Sequence, residues 1–259
     1  KYGGAAMVEK ELKYSFARDI ALMKQVGINV IVVHGGGPQI DNELSKVNIK
    51  RNFVDGIRVT DTKTIEVVSE TLNNIVNKEI VDLINSNGGN AIGIAKSKNN
   101  SIKVKKYVSN KTDYGFVGEI TNIDTNYLYE LMNSNYIPVI APLGYDNNNN
   151  IYNINADSAA SAIASQLSAE KIIFLTDQAG VLNNKKKLIT SLNFNEIKEL
   201  IKENVITGGM LPKIKACTSA ISENVKMAHI VDGRIQHSVL LEIFTNEGIG
   251  TLVKKWQNV

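Results

Sequence analysis

Short β-branched runs alternate along this chain with longer stretches in which apolar residues return every three or four positions, the pattern of strands alternating with helices. Leu12, Phe16, Ile20 and Met23 mark one face of a helix over 10–26, which Gly27 ends. A strand is predicted over 28–33, a helix over 39–47, and a ribbon over 54–59 that turns on Asp55-Gly56. Thr60 or Asp61 can cap a long helix from about 63 to 86, and 91–95 reads as a strand. Strands over 103–108 and 115–121, a helix over 125–134 and a strand over 136–141 follow, and then two ribbon strands around the polar tip 146–150. An alanine-rich helix over 155–167 has side chains small enough for close packing. After it come a strand over 171–176, helices over 195–202 and 210–224, a strand over 225–231, a helix over 237–244 and a last strand near Thr251. The expected architecture is α/β with a mostly parallel sheet and two lobes, 1–168 and 169–259, sharing a continuous sheet or a tight interface.

Composition narrows the class. The 259 residues can bury a sizeable core, and 43% hydrophobic with 21% charged residues is a globular balance. A net charge of +3 is too small to argue for nucleic acid, and lysines 185–187 read as a solvated turn. The single cysteine, Cys217, excludes an intrachain disulfide and sits in a helical pattern where a small buried residue fits. No apolar run reaches the roughly 18 residues of a membrane span, and no secretory signal is visible. A reducing compartment is expected, the cytoplasm or an organelle stroma. Because ligand loops normally follow strands, a strand is also expected upstream of Lys1, with a leader or helix before it.

Glycine and polar clusters fall where strands end, the place where ligands gather in open α/β sheets. In IVVHGGGP, residues 31–38, an apolar run ends in Gly35, Gly36 and Gly37, which admit an anion to the backbone, and Pro38 suits a first helical turn. The others are Lys1-Tyr2-Gly3-Gly4, Thr176-Asp177-Gln178-Ala179-Gly180, and Thr207-Gly208-Gly209-Met210-Leu211-Pro212-Lys213. Together they describe a phosphate-rich site with two lysines, Lys1 and Lys213, able to clamp a transferring phosphoryl group. Asp157, in the first turn of the alanine-rich helix, is placed either to orient both lysines or to complement the helix dipole. Asn153 could donate to a substrate carboxylate, and Arg58 offers forked donors that fit one, although by itself it reads first as a surface residue.

Absent motifs matter as well. There is no GxxxxGK[ST] and no GxGxxG after a strand. His34-Gly35-Gly36-Gly37 matches the oxyanion turn of lipases and esterases, but the G-x-S-x-G elbow that this chemistry needs is missing. His229 and His237 lack metal-ligand spacing and read as structural or effector-contacting.

KYGGAAM, VIVVHGGGPQI, DGIRVTD, NINADSAAS, FLTDQAGVL, ITGGMLPKIKAC and HSVLLEIFTNEGIGTLV stand in the order and spacing of one family. The chain resembles the amino-acid kinase family, in its arginine-sensitive branch that phosphorylates N-acetyl-L-glutamate during arginine biosynthesis. The resemblance implies a three-layer αβα sandwich, an N-terminal acetylglutamate-binding and dimerisation lobe, a C-terminal ATP-binding lobe, and transfer of the γ-phosphoryl group of ATP, brought with Mg²⁺, to the side-chain carboxylate. Lys1 and Lys213 match transition-state lysines, and Asp157 matches the aspartate that organises them. Gly36, Gly37, Arg58 and Asn153 match acetylglutamate contacts. Gly4, Asp177, Gly180, Val181, Gly208, Gly209 and Met210 match the nucleotide region. The resemblance further implies arginine as inhibitor with His237, Glu247 and Gly250 at its site, a homodimer or hexamer (a trimer of dimers), the PII signalling protein as a partner, and a cytoplasmic or plastid-stromal location. No protein-held metal, no nucleic acid and no membrane are expected. Other members of the family, such as aspartate, glutamate 5- or carbamate kinases, and a silent arginine-sensing protein are the competing readings.

Overall fold

The computed structural model describes residues 1–94, 101–110, 112–246 and 248–255. The chain divides into two units, one of Lys24–Ala159 and one that joins Lys1–Met23 to Ala160–Val259. None of the described helices is long and apolar enough to cross a membrane.

The Lys24–Ala159 unit is built on a parallel three-stranded sheet in the order Val32–Val33, Ile137–Ile140, Ala91–Ile94. The predicted strand over 28–33 is a strand only at Val32 and Val33, because those two alone find ladder partners, Val139 and Ile140. Residue 95, predicted to end the 91–95 strand, lies outside the described residues. The helix Gly37–Lys46 starts directly after the glycine turn, with Pro38 in its first turn where no amide hydrogen is needed. Its buried Ile40 and Leu44 pack with Ile65, Val68 and Leu72.

Those last three residues belong to a helical stretch in three parts: α over Thr62–Glu70, π over Thr71–Asn77 and α over Lys78–Ser86. Of the two candidate caps, Asp61 does the work. Its carboxylate accepts the Thr64 amide at 2.8 Å, and Thr60 is wholly buried instead. The predicted ribbon is the hairpin Phe53–Val54 and Ile57–Arg58. Asp55 and Gly56 at its tip have φ of 50° and 77°, the left-handed pair that matches hairpin twist. A mixed sheet in the order Gly118–Ile123, Ile102–Lys106, Leu143–Tyr145, Ile151–Asn153 completes this unit.

The other unit has a four-stranded sheet in the order Lys171–Thr176, Met227–Asp232, Thr251–Lys254, Ser191–Leu192. The first and last pairings are parallel and the middle one antiparallel. The two-residue strand Ser191–Leu192 was not expected, being too short for any periodicity to show. Lys1 lies along the Lys171–Thr176 strand. Its nitrogen donates to the Ile173 carbonyl at 2.7 Å, and its carbonyl accepts the Leu175 amide at 3.0 Å. This pairing assigns residues 1–23 to the C-terminal unit, whereas the sequence places them in the first lobe with a boundary at 168.

Candidate active site

In the Lys24–Ala159 unit the glycine turn sits at the end of its strand. Gly36 is held by close approach: a Cβ there would lie 2.6 Å from Leu72 Cδ2. Gly37, the first residue of its helix, has no atom within 4 Å of an imagined Cβ, so its surroundings are open. His34 is completely buried, with Nδ1 2.7 Å from the Gly35 carbonyl. Burial lowers its pKa to about 4, so the ring is neutral and Nδ1 is the donor.

Arg58 ends the hairpin and is 6% exposed, so the surface alternative is set aside. Its Nη2 donates to Asp41 Oδ1 at 2.6 Å, and its guanidinium lies 4.6 Å from the Phe53 ring centroid. Nη1 is buried with no hydrogen-bond partner. A buried cation with one carboxylate and a spare donor is incomplete without a second acceptor. Next along the chain, Thr60 Oγ1 donates to the Arg58 carbonyl at 2.8 Å, and Asn153 Nδ2 donates to Thr60 Oγ1 at 3.4 Å. Gly115, at φ 70°, lets the backbone close on this group, since a Cβ there would lie 2.2 Å from the Thr60 oxygen. Arg58, Thr60 and Asn153 are thus one connected cluster. Asp157 is buried in the first turn of the helix Ala156–Gln166, where Asn155 Oδ1 caps the amides of Asp157 and Ser158 at 2.9 and 3.1 Å. Asn155 is therefore the cap of this helix.

The C-terminal unit gathers the phosphate-type residues. The Lys1 ammonium folds over Gly3, where a Cβ would lie 2.4 Å from Nζ. Gly4, at φ 71°, turns the chain against the backbone of Thr176 and Asp177. Gly208 has φ 53°, and neither it nor Gly209 has an atom near an imagined Cβ. The helix Met210–Ser222 begins there, with no acidic residue in its first turn and Lys213 as its fourth residue. Gly180 and Val181 face inward instead. Val181 is buried and gives its amide to Thr251 Oγ1 at 2.8 Å, and a Cβ on Gly180 would strike Leu188 and Thr251. They shape the loop after Asp177, and the Val181 amide is spent within the fold. Among the described residues no three His, Cys, Asp or Glu side chains gather as a metal site.

Two of the C-terminal effector candidates, His237 and Gly250, make contacts within the fold. His237 Nδ1 lies 2.6 Å from the buried Asp19 carboxylate and 3.4 Å from Ser15 Oγ. Both partners use the same ring nitrogen, so the trio is no nucleophile relay. Gly250 gives its amide to Glu242 Oε2 at 3.0 Å, beside that of Ile249 at 2.7 Å, and His229 Nδ1 meets the other oxygen at 2.6 Å. Burial pushes the Glu242 carboxyl up, but these donors outweigh it and hold the group ionised below its usual range. Glu247 lies outside the described residues.

Sequence reasoning missed Asp41, the partner of Arg58, and Asn77, whose Nδ2 lies 3.1 Å from His34 Nε2. The available signal for Asn77 was a polar residue repeating at the spacing of buried Asn73, Ile80 and Ile84.

The profile of the Amino acid kinase family matches residues 1–232. An acetylglutamate kinase of Campylobacter fetus is 51% identical over 254 residues, which cover 98% of this chain and 90% of that protein. Among solved structures, the protein smu.665 of Streptococcus mutans is 28% identical with a TM-score of 0.83, covering 98% of this chain and 96% of that one. An N-acetylglutamate synthase of Neisseria gonorrhoeae, complexed with coenzyme A and L-arginine, has a TM-score of 0.85 at 22% identity, a likeness of fold. This chain spans 60% of that synthase's length.

Proposed function

The chain belongs to the amino acid kinase family, and from that premise we propose that it transfers the γ-phosphoryl group of ATP to the side-chain carboxylate of N-acetyl-L-glutamate, a step of arginine biosynthesis. Relatives near 50% identity over almost the whole chain carry that activity in their names. The observation in this molecule that carries the reading is the buried Arg58 guanidinium, paired with Asp41 through Nη2 alone, with Nη1 left for a second acceptor. A substrate carboxylate is that acceptor.

The acceptor carboxylate is ionised at neutral pH and needs no general base. Its oxygen attacks the γ-phosphorus, the bond from that phosphorus to the β,γ-bridging oxygen breaks, and ADP leaves with the electron pair. The products are an acyl phosphate and ADP. The obstacle is repulsion between two anions, which positive side chains and backbone amides relieve. Arg58 and Asn153 hold acetylglutamate, Gly36 and Gly37 give backbone access, and Lys1 and Lys213 stabilise the transferring group with Asp157 as their organiser. ATP lies along Gly4, Asp177 and residues 208–210, and the Mg²⁺ it brings would neutralise phosphate charge. In this reading the Lys24–Ala159 unit serves the acceptor and the other unit the nucleotide.

Arginine as inhibitor, a homodimer or hexamer and the PII protein as a partner belong to the same reading, supported by the likeness of HSVLLEIFTNEGIGTLV to arginine-sensitive members. For arginine, the half-exposed His237 on its buried Asp19 is the best-placed contact. A cytoplasm-like compartment suits the buried reduced thiol of Cys217.

Full-length protein with Mg-ATP and N-acetylglutamate is expected to form an acyl phosphate trapped by hydroxylamine as the hydroxamate. Hydroxamate from aspartate, glutamate or carbamate but none from N-acetylglutamate would sink the substrate assignment. Arg58→Lys keeps the charge but not the fork. It is expected to raise KM for acetylglutamate roughly ten- to hundredfold, the worth of one charge-assisted bond, with KM for ATP unchanged. Equal rises in both constants would place Arg58 outside the acceptor site.

A further inference from the structure

The glycine turn has no side chains of its own to hold it, and one polar chain of contacts reaches it. The Gly35 carbonyl can only accept, so the His34 nitrogen 2.7 Å away, Nδ1, carries the proton. In the neutral ring Nε2 is then an acceptor, and Asn77 Nδ2 stands 3.1 Å from it. The second hydrogen of the same amide goes to the Val139 carbonyl at 2.9 Å. Turning the Asn77 amide over would set its oxygen against two acceptors. Its oxygen instead points to Gly93, where a Cβ would lie 2.2 Å away, so the missing side chain there makes the room. Tautomer, amide orientation and the glycine at 93 therefore fix one another.

Asn77 closes the π-helical stretch Thr71–Asn77. The same stretch presses Leu72 Cδ2 and Val76 Cγ2 on Gly36, at 2.6 and 3.5 Å from an imagined Cβ. One wide helical segment thus seats two consecutive residues of the turn, Gly35 by hydrogen bonds through His34 and Gly36 by van der Waals contact. Gly37, the next residue, is left open. An ordinary α-helix would carry one residue fewer in this turn and change the phase between Leu72 and Asn77.

We propose that Asn77 is a positioning residue for the acceptor side of the reaction: by donating to His34 Nε2 it fixes the ring that holds the Gly35 carbonyl, and so aims the backbone of Gly36 and Gly37 at the substrate. This rests on the acetylglutamate reading above. Neither His34 nor Asn77 touches the reacting atoms in this assignment.

The test compares Asn77→Asp, which keeps the shape and removes both donors, with Asn77→Ser, which keeps a donor, in the full-length protein. Asn77→Asp is expected to raise KM for N-acetylglutamate roughly tenfold, the effect of one lost hydrogen bond, with KM for ATP within about twofold. Asn77→Ser is expected to fall between it and wild type. A purely packing role would leave Asn77→Asp close to wild type, and partial unfolding would lower kcat with both KM values unchanged. Either result overturns the proposal. Long-range proton–nitrogen NMR, with His34 assigned by loss of its signals in His34→Gln, reads the ring directly. The expected pattern is protonated Nδ1 and bare Nε2 in wild type, displaced in Asn77→Asp. An undisplaced pattern overturns the proposal even if turnover changes. Wild-type protein inactive on N-acetylglutamate would overturn the substrate reading, and the NMR comparison would still decide the role of Asn77.

Discussion

Lys213→Ala is expected to lower kcat by roughly 10²- to 10³-fold while KM for ATP changes by less than about threefold. Lys213 is the fourth residue of the helix Met210–Ser222, which starts after Gly208 and Gly209, and no acidic side chain stands in its first turn. A cation near a helix N-terminus meets the like-signed end of the macrodipole, a placement that works against helix stability unless an anion is held there. The same placement focuses two positive sources on a phosphate. As the bond to the leaving ADP breaks, charge shifts among the phosphoryl and bridging oxygens, and an ammonium set for that distribution stabilises the transition state more than bound ATP. The loss should therefore fall on kcat. Steady-state hydroxamate assays at saturating ATP measure it, with circular dichroism to verify folding. A kcat within fivefold of wild type would remove Lys213 from the catalytic role.

The sequence made some parts of this site readable and left others hidden, for physical reasons that differ by residue. The glycine turn was legible because β-branched residues, three glycines and a proline each demand a particular backbone. The hairpin at Asp55-Gly56 was legible in the same way, and both residues take the positive φ that such a turn requires. The burial of Arg58 was not, since nothing local distinguishes a solvated arginine from one resting on Phe53 and Asp41, whose meeting depends on how the hairpin folds over the Gly37–Lys46 helix. Asn77 stands at the helical spacing of Asn73, Ile80 and Ile84, but that spacing does not tell a buried asparagine that donates to a histidine from one that only packs. Lys1–Met23 joined the C-terminal unit through backbone hydrogen bonds, which leave no trace in side-chain pattern. The C-terminal loop is the reverse case. Gly250 is an effector candidate on sequence, yet it and Ile249 spend their amides on Glu242, whose role as an acceptor no local pattern marks.

The buried imidazole of His34 should make the fold acid-sensitive in a defined window. Its pKa is about 4 in the folded protein against an ordinary 6.5, because burial disfavours the charged ring. The folded state therefore binds its proton later than the unfolded chain as pH falls. Its contribution is whole above pH 6.5, declines between 6.5 and 4, and changes no further below 4. The gap of about 2.5 pH units, at 1.36 kcal/mol each, amounts to roughly 3 kcal/mol. Two buried acids of the other unit do not imitate this. Glu242 is held below its usual 4.5, so its stabilisation is lost only as pH falls below that value. Asp19 is raised above 3.8, mainly by burial, so the folded state takes up its proton first and acid favours folding there. In His34→Gln a neutral amide can still donate to the Gly35 carbonyl and accept from Asn77, and its charge does not change with pH. Urea denaturation at pH 7 and pH 4.5 is expected to show wild type losing roughly 2–3 kcal/mol more than His34→Gln over that interval. Equal losses in the two proteins would mean that the ring is protonated, or reached by solvent, in the native state. The Gly35 carbonyl would then be held by an imidazolium, with Nε2 a donor facing the donor of Asn77, and the order of the glycine turn would need another cause.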